Sequence, residues 1–270
     1  MKNLFDVRNK VMVITGATGI LGSAMARHFA GQGSKVVILA RKAEAAQKLI
    51  DEVGATGGEA VFFATNVLDK EQLETAYAQT MARYGRVDVL INCAGGNMPG
   101  ATIPPDKTIF DLDMAAFETV VDLNLFGTVL PTMIFARTMV DRKEGSIINV
   151  ASESAIRPLT RVAGYGVAKA AVVNFTKYLC GELAAKYGAG LRVNAIAPGF
   201  FLSEQNRTLL TNPDGSYTDR AKTILAHTPF KRFGEPEELL GTLQWLASDA
   251  SKFVSGTVTM IDGGFDAFSI

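Results

Sequence analysis

Tyr165-Gly166-Val167-Ala168-Lys169 sets a phenol and an ammonium four residues apart. On a helix, positions four apart share a face, so both side chains point the same way. A free phenol has a pKa near 10, too high for a base at neutral pH. A neighbouring ammonium favours the phenolate and lowers that value. A phenol so tuned can take a proton from an alcohol or give one to a forming alkoxide. Ser152 lies thirteen residues before Tyr165, just past the β-branched run Ser146–Val150. Ligands of open α/β sheets sit beyond the carboxyl ends of the strands, which places Ser152 to hydrogen-bond a substrate oxygen. Asn124 is a polar residue in an apolar helical stretch. A buried amide needs partners, and a backbone carbonyl and a water would serve. By spacing alone Tyr-x-x-x-Lys is common, so its surroundings must decide.

The second chemical feature is Thr15-Gly16-Ala17-Thr18-Gly19-Ile20-Leu21-Gly22, which follows an apolar run and opens a helical one. Glycine at 16 permits a tight turn, at 19 lets backbone N–H groups reach a diphosphate, and at 22 lets the helix pack close to the sheet. The helix N-terminus then faces the phosphates. The spacing is looser than the usual dinucleotide fingerprint, and its weight comes from the strand before and the helix after. An acid at the end of the second strand would bind the ribose 2′-hydroxyl of NAD. Here Ala40 is followed by Arg41 and Lys42. An arginine pairs a 2′-phosphate by charge-assisted hydrogen bonds, so NADP(H) is favoured, with NAD the alternative.

These groups need a frame. Strands are expected at Val11–Thr15, Lys35–Ala40, Ala60–Ala64, Val87–Asn92, Ser146–Val150, Arg192–Ala197 and Thr257–Ile261. Most are near-continuous apolar runs, as strands buried on both faces should be. Helices are expected at Ile20–Gln32, Ala43–Val53 and Lys70–Tyr84, closed by Gly33, Gly54 and Gly85. Further helices are expected at Ala115–Arg142, Ala163–Tyr187 and, opened by proline, Pro236–Ala247. The alternation predicts an α/β fold: one Rossmann-like, doubly wound parallel sheet of about seven strands, helices on both faces, in a single domain over 1–270. Segment 200–232 has weak periodicity and the turn Asn212-Pro213-Asp214-Gly215, and reads as a lid over the substrate.

Composition narrows the function. Lys+Arg (27) balances Asp+Glu (27) and no basic run appears, which argues against nucleic acid as partner. No apolar stretch is expected to supply the roughly 20 residues of a membrane span. The N-terminus carries no apolar run, so a cytoplasmic location is expected. Cys93 and Cys180 read as small core hydrophobes in a reducing compartment. With no His/Asp/Glu cluster at ligand spacing, no metal is expected.

Taken together, Thr15–Gly22, Asn92-Cys93-Ala94-Gly95, Asn124, Ser152, Tyr165–Lys169, Pro198-Gly199, Arg232–Glu238 and Ile261-Asp262-Gly263-Gly264 closely resemble the short-chain dehydrogenase/reductase family, from about Lys10 to Gly264. The resemblance implies a catalytic tetrad of Asn124, Ser152, Tyr165 and Lys169. In it Lys169 holds the nicotinamide ribose and Asn124 supports a water that relays protons. It implies cofactor contacts from Gly16, Thr18, Gly19, Ile20, Leu21, Arg41, Lys42, Asn66, Val67, Asn92, Ala94, Gly95, Tyr165, Lys169, Pro198, Gly199, Phe201 and Ser203. Two departures stand out: the glycine spacing, and Asn66 where an aspartate is usual. The family also implies a homo-oligomer, commonly a tetramer.

Within the family, Ala94–Asn97, Arg157–Arg161 and Ala197–Arg207 are similar to the D-mannonate oxidoreductase-like (fructuronate reductase) branch, near the gluconate 5-dehydrogenases. A small sugar acid or polyol is the implied partner. Arg157 or Arg161 could clamp its carboxylate bidentately. Asn97, Gln205, Asn206, Arg207 and His227 could add polar contacts. The alternatives are another reductase of this fold, such as a 3-oxoacyl-carrier-protein reductase, or a non-catalytic NAD(P)-sensing module.

Overall fold

The computed structural model describes residues 3–202, 207 and 209–268. Seven strands form a parallel sheet: β1 (Val11–Thr15), β2 (Lys35–Ala40), β3 (Glu59–Ala64), β4 (Val89–Asn92), β5 (Gly145–Val150), β6 (Leu191–Pro198) and β7 (Val258–Ile261). Their order is β3-β2-β1-β4-β5-β6-β7. The order reverses between β1 and β4, paired from Met12↔Val89 to Thr15↔Asn92. That switch point opens a crevice at the carboxyl edge of the sheet.

The near-continuous apolar strands are explained by what covers them. In β1, Met12 and Ile14 face a core shared with α1 (Ile20–Gly31), α2 (Ala43–Ala55) and α8 (Leu240–Ala247). Val11 and Val13 face the opposite core, shared with α3 (Lys70–Tyr84), α5 (Gly127–Arg142) and α6 (Ala163–Tyr187). Phe29 and Phe135, one in each core, are completely buried. Each such side chain contributes about 1.5–3 kcal/mol by leaving water. The result is one Rossmann-like domain with helices on both sheet faces.

Local chemistry sets most helix ends. Asp69 starts α3 by accepting from the Glu71 and Gln72 N–H groups, and Gly85 closes it at φ 70°. Gly54 does not end α2. The helix runs to Ala55, and the left-handed glycine is Gly57. The expected helix 115–142 is divided. It comprises α4 (Met114–Val121), a π-helical turn over Asp122–Phe126, and α5. The proline-led stretch begins as a 3₁₀ turn, Pro236–Leu239, before α8.

Contrary to expectation, Met114–Arg142 is by length and composition apolar enough to cross a membrane. It is instead half buried in this fold, with α5 packed on β4 and β5 and α4 on α6. Within 200–232 a helix appears that the weak periodicity hid, α7 (Asp219–His227), capped by Thr218. Cys93 and Cys180 are free thiols, half-buried and packed against the two cores.

Candidate active site

The crevice at the carboxyl edge is a cleft of about 660 Å³. It is walled by the β1–α1 turn, the tip of β2, the segments after β3, β4, β5 and β6, and the start of α6. Its volume suits a small-molecule ligand.

At its floor the chain approaches itself closely. Gly16 has φ +64°, and a Cβ there would lie 2.8 Å from the Ala94 backbone. The Thr15 hydroxyl, fully buried, accepts from the Cys93 and Ala94 N–H groups at 3.1 and 3.0 Å. The β1 and β4 tips are thereby locked together. No acid stands in the first turn of α1, and Gly19 at its N-cap offers no side-chain oxygen to the helix N–H groups. They remain available to an anion.

The π-helical turn explains Asn124. The Gly127 N–H donates to the Asp122 carbonyl, five residues back. This widened turn carries Asn124, itself fully buried. Its Nδ2 donates to the carbonyls of Val120 (2.8 Å) and Gly96 (2.7 Å), and its Oδ1 accepts from the Gly96 N–H at 3.1 Å. Backbone groups therefore satisfy the amide, where a carbonyl and a water were expected. The amide works as a clamp on the loop after β4. Such π turns recur at functional sites.

Lys169 is buried, and its Nζ donates to the Val150 carbonyl at 2.7 Å. Its Nζ lies 5.7 Å from the Tyr165 ring centroid. Ser152 lies near enough to the Tyr165 hydroxyl to favour its phenolate. Ser152 also accepts from the Ser154 N–H at 3.2 Å and the Ser154 hydroxyl at 3.1 Å. Strand β5, the π turn and the first turn of α6 thus bring Asn124, Ser152, Tyr165 and Lys169 to one end of the cleft.

The electrostatics correct one expectation. The Tyr165 pKa is raised, not lowered: burial disfavours the phenolate most, and Ser152 pulls the other way. Lys169 is pushed down to about 8 by burial. Burial also pushes the Cys93 thiol, on the cleft wall, up to about 11.

Most expected cofactor residues line this cleft: Gly16, Thr18, Gly19, Ile20, Leu21, Arg41, Lys42, Asn66, Val67, Ala94, Gly95, Pro198, Gly199 and Phe201. Asn92 does not. Its buried Nδ2 donates away from the cleft, to Thr132 Oγ1 (2.8 Å) and Asn149 Oδ1 (2.9 Å). Ser203, Gln205 and Asn206 lie outside the described residues.

The expected substrate contacts divide. Arg157 is no free clamp: its Nε donates to Asp266 Oδ1 at 2.7 Å, and its Nη2 to the Asp266 carbonyl. The Asn97 amide is turned to Thr102. Arg207 is exposed, with its carbonyl accepting from the Thr211 N–H. His227 is exposed too, its Nδ1 bonded to the Thr223 carbonyl one turn back. Arg161 has no acidic partner among the described residues, and its backbone is left-handed at φ 77°.

Sequence reasoning passed over Glu153. It is 1% exposed, and neither carboxylate oxygen has a hydrogen-bond partner. Burial, then Asp266 and Asp262, push it up to about 7, against the pull of Arg157.

Residues 10–214 match the short chain dehydrogenase family model. The chain belongs to the short-chain dehydrogenase family. It is accordingly an NAD(P)-dependent oxidoreductase of CH–OH groups. An uncharacterized oxidoreductase of Bacillus subtilis, UxuB, is 45% identical over 273 residues, 98% of this chain and 97% of that protein. A candidate D-mannonate oxidoreductase from Haemophilus influenzae, solved with bound NAD, is 42% identical with a TM-score of 0.91, over 98% of this chain and 97% of that one. A gluconate 5-dehydrogenase from Burkholderia cenocepacia, solved with NADP and tartrate, is 30% identical with a TM-score of 0.87, over 98% of each.

Proposed function

We propose that this short-chain dehydrogenase interconverts a secondary alcohol and a ketone on a small sugar acid of the D-mannonate/D-fructuronate type. One observation carries the catalytic reading. A phenol, a serine and a buried lysine line one end of a dinucleotide-sized cleft together.

The cleft fits the cofactor. Gly16 and Gly95 line it, and the α1 N-terminus beside it is free of acids. Gly16, Thr18, Gly19, Ile20 and Leu21 would hold the diphosphate, Arg41 and Lys42 the adenosine ribose, and Asn66 and Val67 the adenine. Ala94, Gly95 and Lys169 would face the nicotinamide ribose, and Pro198, Gly199 and Phe201 the nicotinamide. When bound, the nicotinamide supplies or takes up hydride.

The chain's own residues do the rest. Ser152 holds the substrate oxygen beside the Tyr165 hydroxyl. Tyr165 gives a proton to that oxygen during reduction and takes it back during oxidation. Lys169, fixed by the Val150 carbonyl, stands beside it as the proton reservoir nearest the ring. Asn124 acts as a positioning residue through Gly96. With two cations and no carboxylate at the tip of β2, NADP(H) is the proposed partner. Segment 200–232, carried by α7, would cover the substrate side, and the enzyme would work as a cytoplasmic homotetramer.

Sugar acids are favoured by Arg161, which stands on the loop after Ser152 with no acidic partner among the described residues, and by the D-mannonate and gluconate names of the two solved relatives. The test is a screen of sugar acids, polyols and 3-oxoacyl thioesters with both cofactors, repeated with Tyr165→Phe. Loss of a proton-transferring group should cost about 10²–10⁴-fold in turnover, with dinucleotide binding retained. Near-normal turnover in that variant would remove the assignment. Turnover of oxoacyl thioesters alone would remove the sugar-acid substrate.

A further inference from the structure

We propose that Arg161 and Arg220 form a two-guanidinium subsite for the substrate carboxylate, shared between the loop that follows Ser152 and helix α7. This rests on the sugar-acid reading above and adds a residue, Arg220, that was not among the contacts expected from segment 200–232.

Arg220 lies in the first turn of α7, where a cation opposes the helix dipole. Nothing local offsets that placement. The neighbouring acid Asp219 is turned to Lys222, at 3.1 Å, and is almost fully exposed. Arg220 reaches across to the loop instead, donating to the Thr160 hydroxyl at 3.2 Å and the Thr160 carbonyl at 3.3 Å. Both acceptors are neutral, so two of its five N–H donors are engaged and its charge is unmatched. The next residue in the loop is Arg161. The two guanidiniums are close enough to repel, and burial together with the charge of Arg161 lowers the Arg220 pKa. Neither is ion-paired to any described carboxylate.

Backbone geometry shows that Arg161 is held there. Its φ of 77° is a left-handed conformation that a residue with a Cβ rarely adopts. The Arg161 carbonyl accepts from the Ile103 N–H at 3.0 Å. Ala101, two residues before Ile103, packs in the same cluster as the Tyr165 ring. The chain segment that anchors Arg161 thus also contributes to the cluster against which Tyr165 packs. Strain of this kind, of order 1–3 kcal/mol, collects at ligand clamps. Two like charges and a strained backbone all oppose folding, and a bound carboxylate relieves the repulsion. Two forked guanidiniums can take its two oxygens from opposite sides. A neutral polyol offers nothing equivalent. The subsite therefore selects acids over alcohols of the same carbon skeleton, and it would bridge α7 to the catalytic loop.

Calorimetric titration of the NADP-saturated enzyme with D-mannonate and with D-gluconate tests this. At least one acid should bind, and Arg220→Gln and Arg161→Gln should each weaken it by about 10- to 100-fold. Arg220→Lys, which keeps the charge and loses the fork, should recover part of the loss. Lys222→Gln, two residues further along α7 and paired with Asp219, should change nothing. If the acids bind both glutamine variants as tightly as the parent, the pair is overturned while the sugar-acid reading stands. If an acid binds through the arginines but is never oxidised, the subsite stands and the substrate assignment fails. If neither acid binds the parent enzyme, both fall.

Discussion

Glu153 sits next to Ser152, fully enclosed, with both carboxylate oxygens unpartnered. Asp262 and Asp266 face it from the C-terminal segment, and Arg157 offsets them incompletely. Its pKa is raised from 4.5 to about 7. The folded chain thus holds a proton that the unfolded chain releases near 4.5. A raised carboxyl pKa stabilises fully below the unfolded value and loses that contribution as pH rises through the folded one. At about 1.4 kcal/mol per pH unit the whole effect is about 3 kcal/mol, of which about 2 kcal/mol falls between pH 5.5 and 8.5. Glu153→Gln keeps the shape and removes the titration. The unfolding free energy of the parent should therefore fall by about 2 kcal/mol relative to the variant between those two pH values. In melting temperature this is roughly 4–8 °C. Urea unfolding of both proteins at both pH values measures a double difference, so the constant cost of burying an amide cancels. Parallel profiles would show that the fold imposes no penalty on ionised Glu153.

Three further outcomes follow from the geometry. Gly95→Ala would place a Cβ 2.6 Å from Asn124 Oδ1 and 3.1 Å from Lys169 Nζ; turnover should drop at least about tenfold, with about 1–3 kcal/mol lost in urea unfolding, and parent-like kinetics would discount the clamp. Thr15→Val leaves the Cys93 and Ala94 N–H groups buried without an acceptor; about 2–4 kcal/mol of stability should go, read by urea unfolding. Replacing Arg41 and Lys42 by glutamine should weaken NADPH about tenfold or more and NADH little; fluorescence titration decides, and a parent enzyme that binds NADH more tightly would end the NADP(H) proposal.

Much of the frame could be read from the sequence because each strand has to satisfy two helical layers. β1, β2, α3 and α6 fall at the expected residues, since buried runs, caps and 3.6-residue periodicity all act locally. What escaped was set by distance or by small offsets. Nothing in the composition of Asp122–Phe126 marks a π turn, because one extra residue in a turn leaves the apolar pattern nearly intact. The burial of Glu153, and the capture of Arg157 by Asp266, depend on a segment 109 residues beyond Arg157. Asn92 carried a usable signal. Leu90 belongs to the core against α5 and α6, and strand alternation turns Asn92 to the same face. Helix α7 had its own, with Thr218 at the cap and Ala221 and Ile224 as its buried face, but over only nine residues.

The least legible feature is what tunes the phenol. Adjacency on a helix suggested that Lys169 lowers the Tyr165 pKa directly. The folded site arranges this differently. Lys169 spends a hydrogen bond on the Val150 carbonyl, and burial brings it to about 8. It is therefore cationic at neutral pH by only a narrow margin. Tyr165 and the Cys93 thiol are driven toward their neutral forms by the same enclosure. Among the described residues, Ser152 is a group that favours the Tyr165 phenolate. In the proposed mechanism Ser152 therefore has two tasks, holding the substrate oxygen and lowering the cost of removing the phenolic proton. A site with little fixed charge also costs little to desolvate when a ligand enters. Its proton equilibria are then set by what binds: each charge brought into the low-dielectric pocket acts on Tyr165 and Lys169 far more strongly than it would in water.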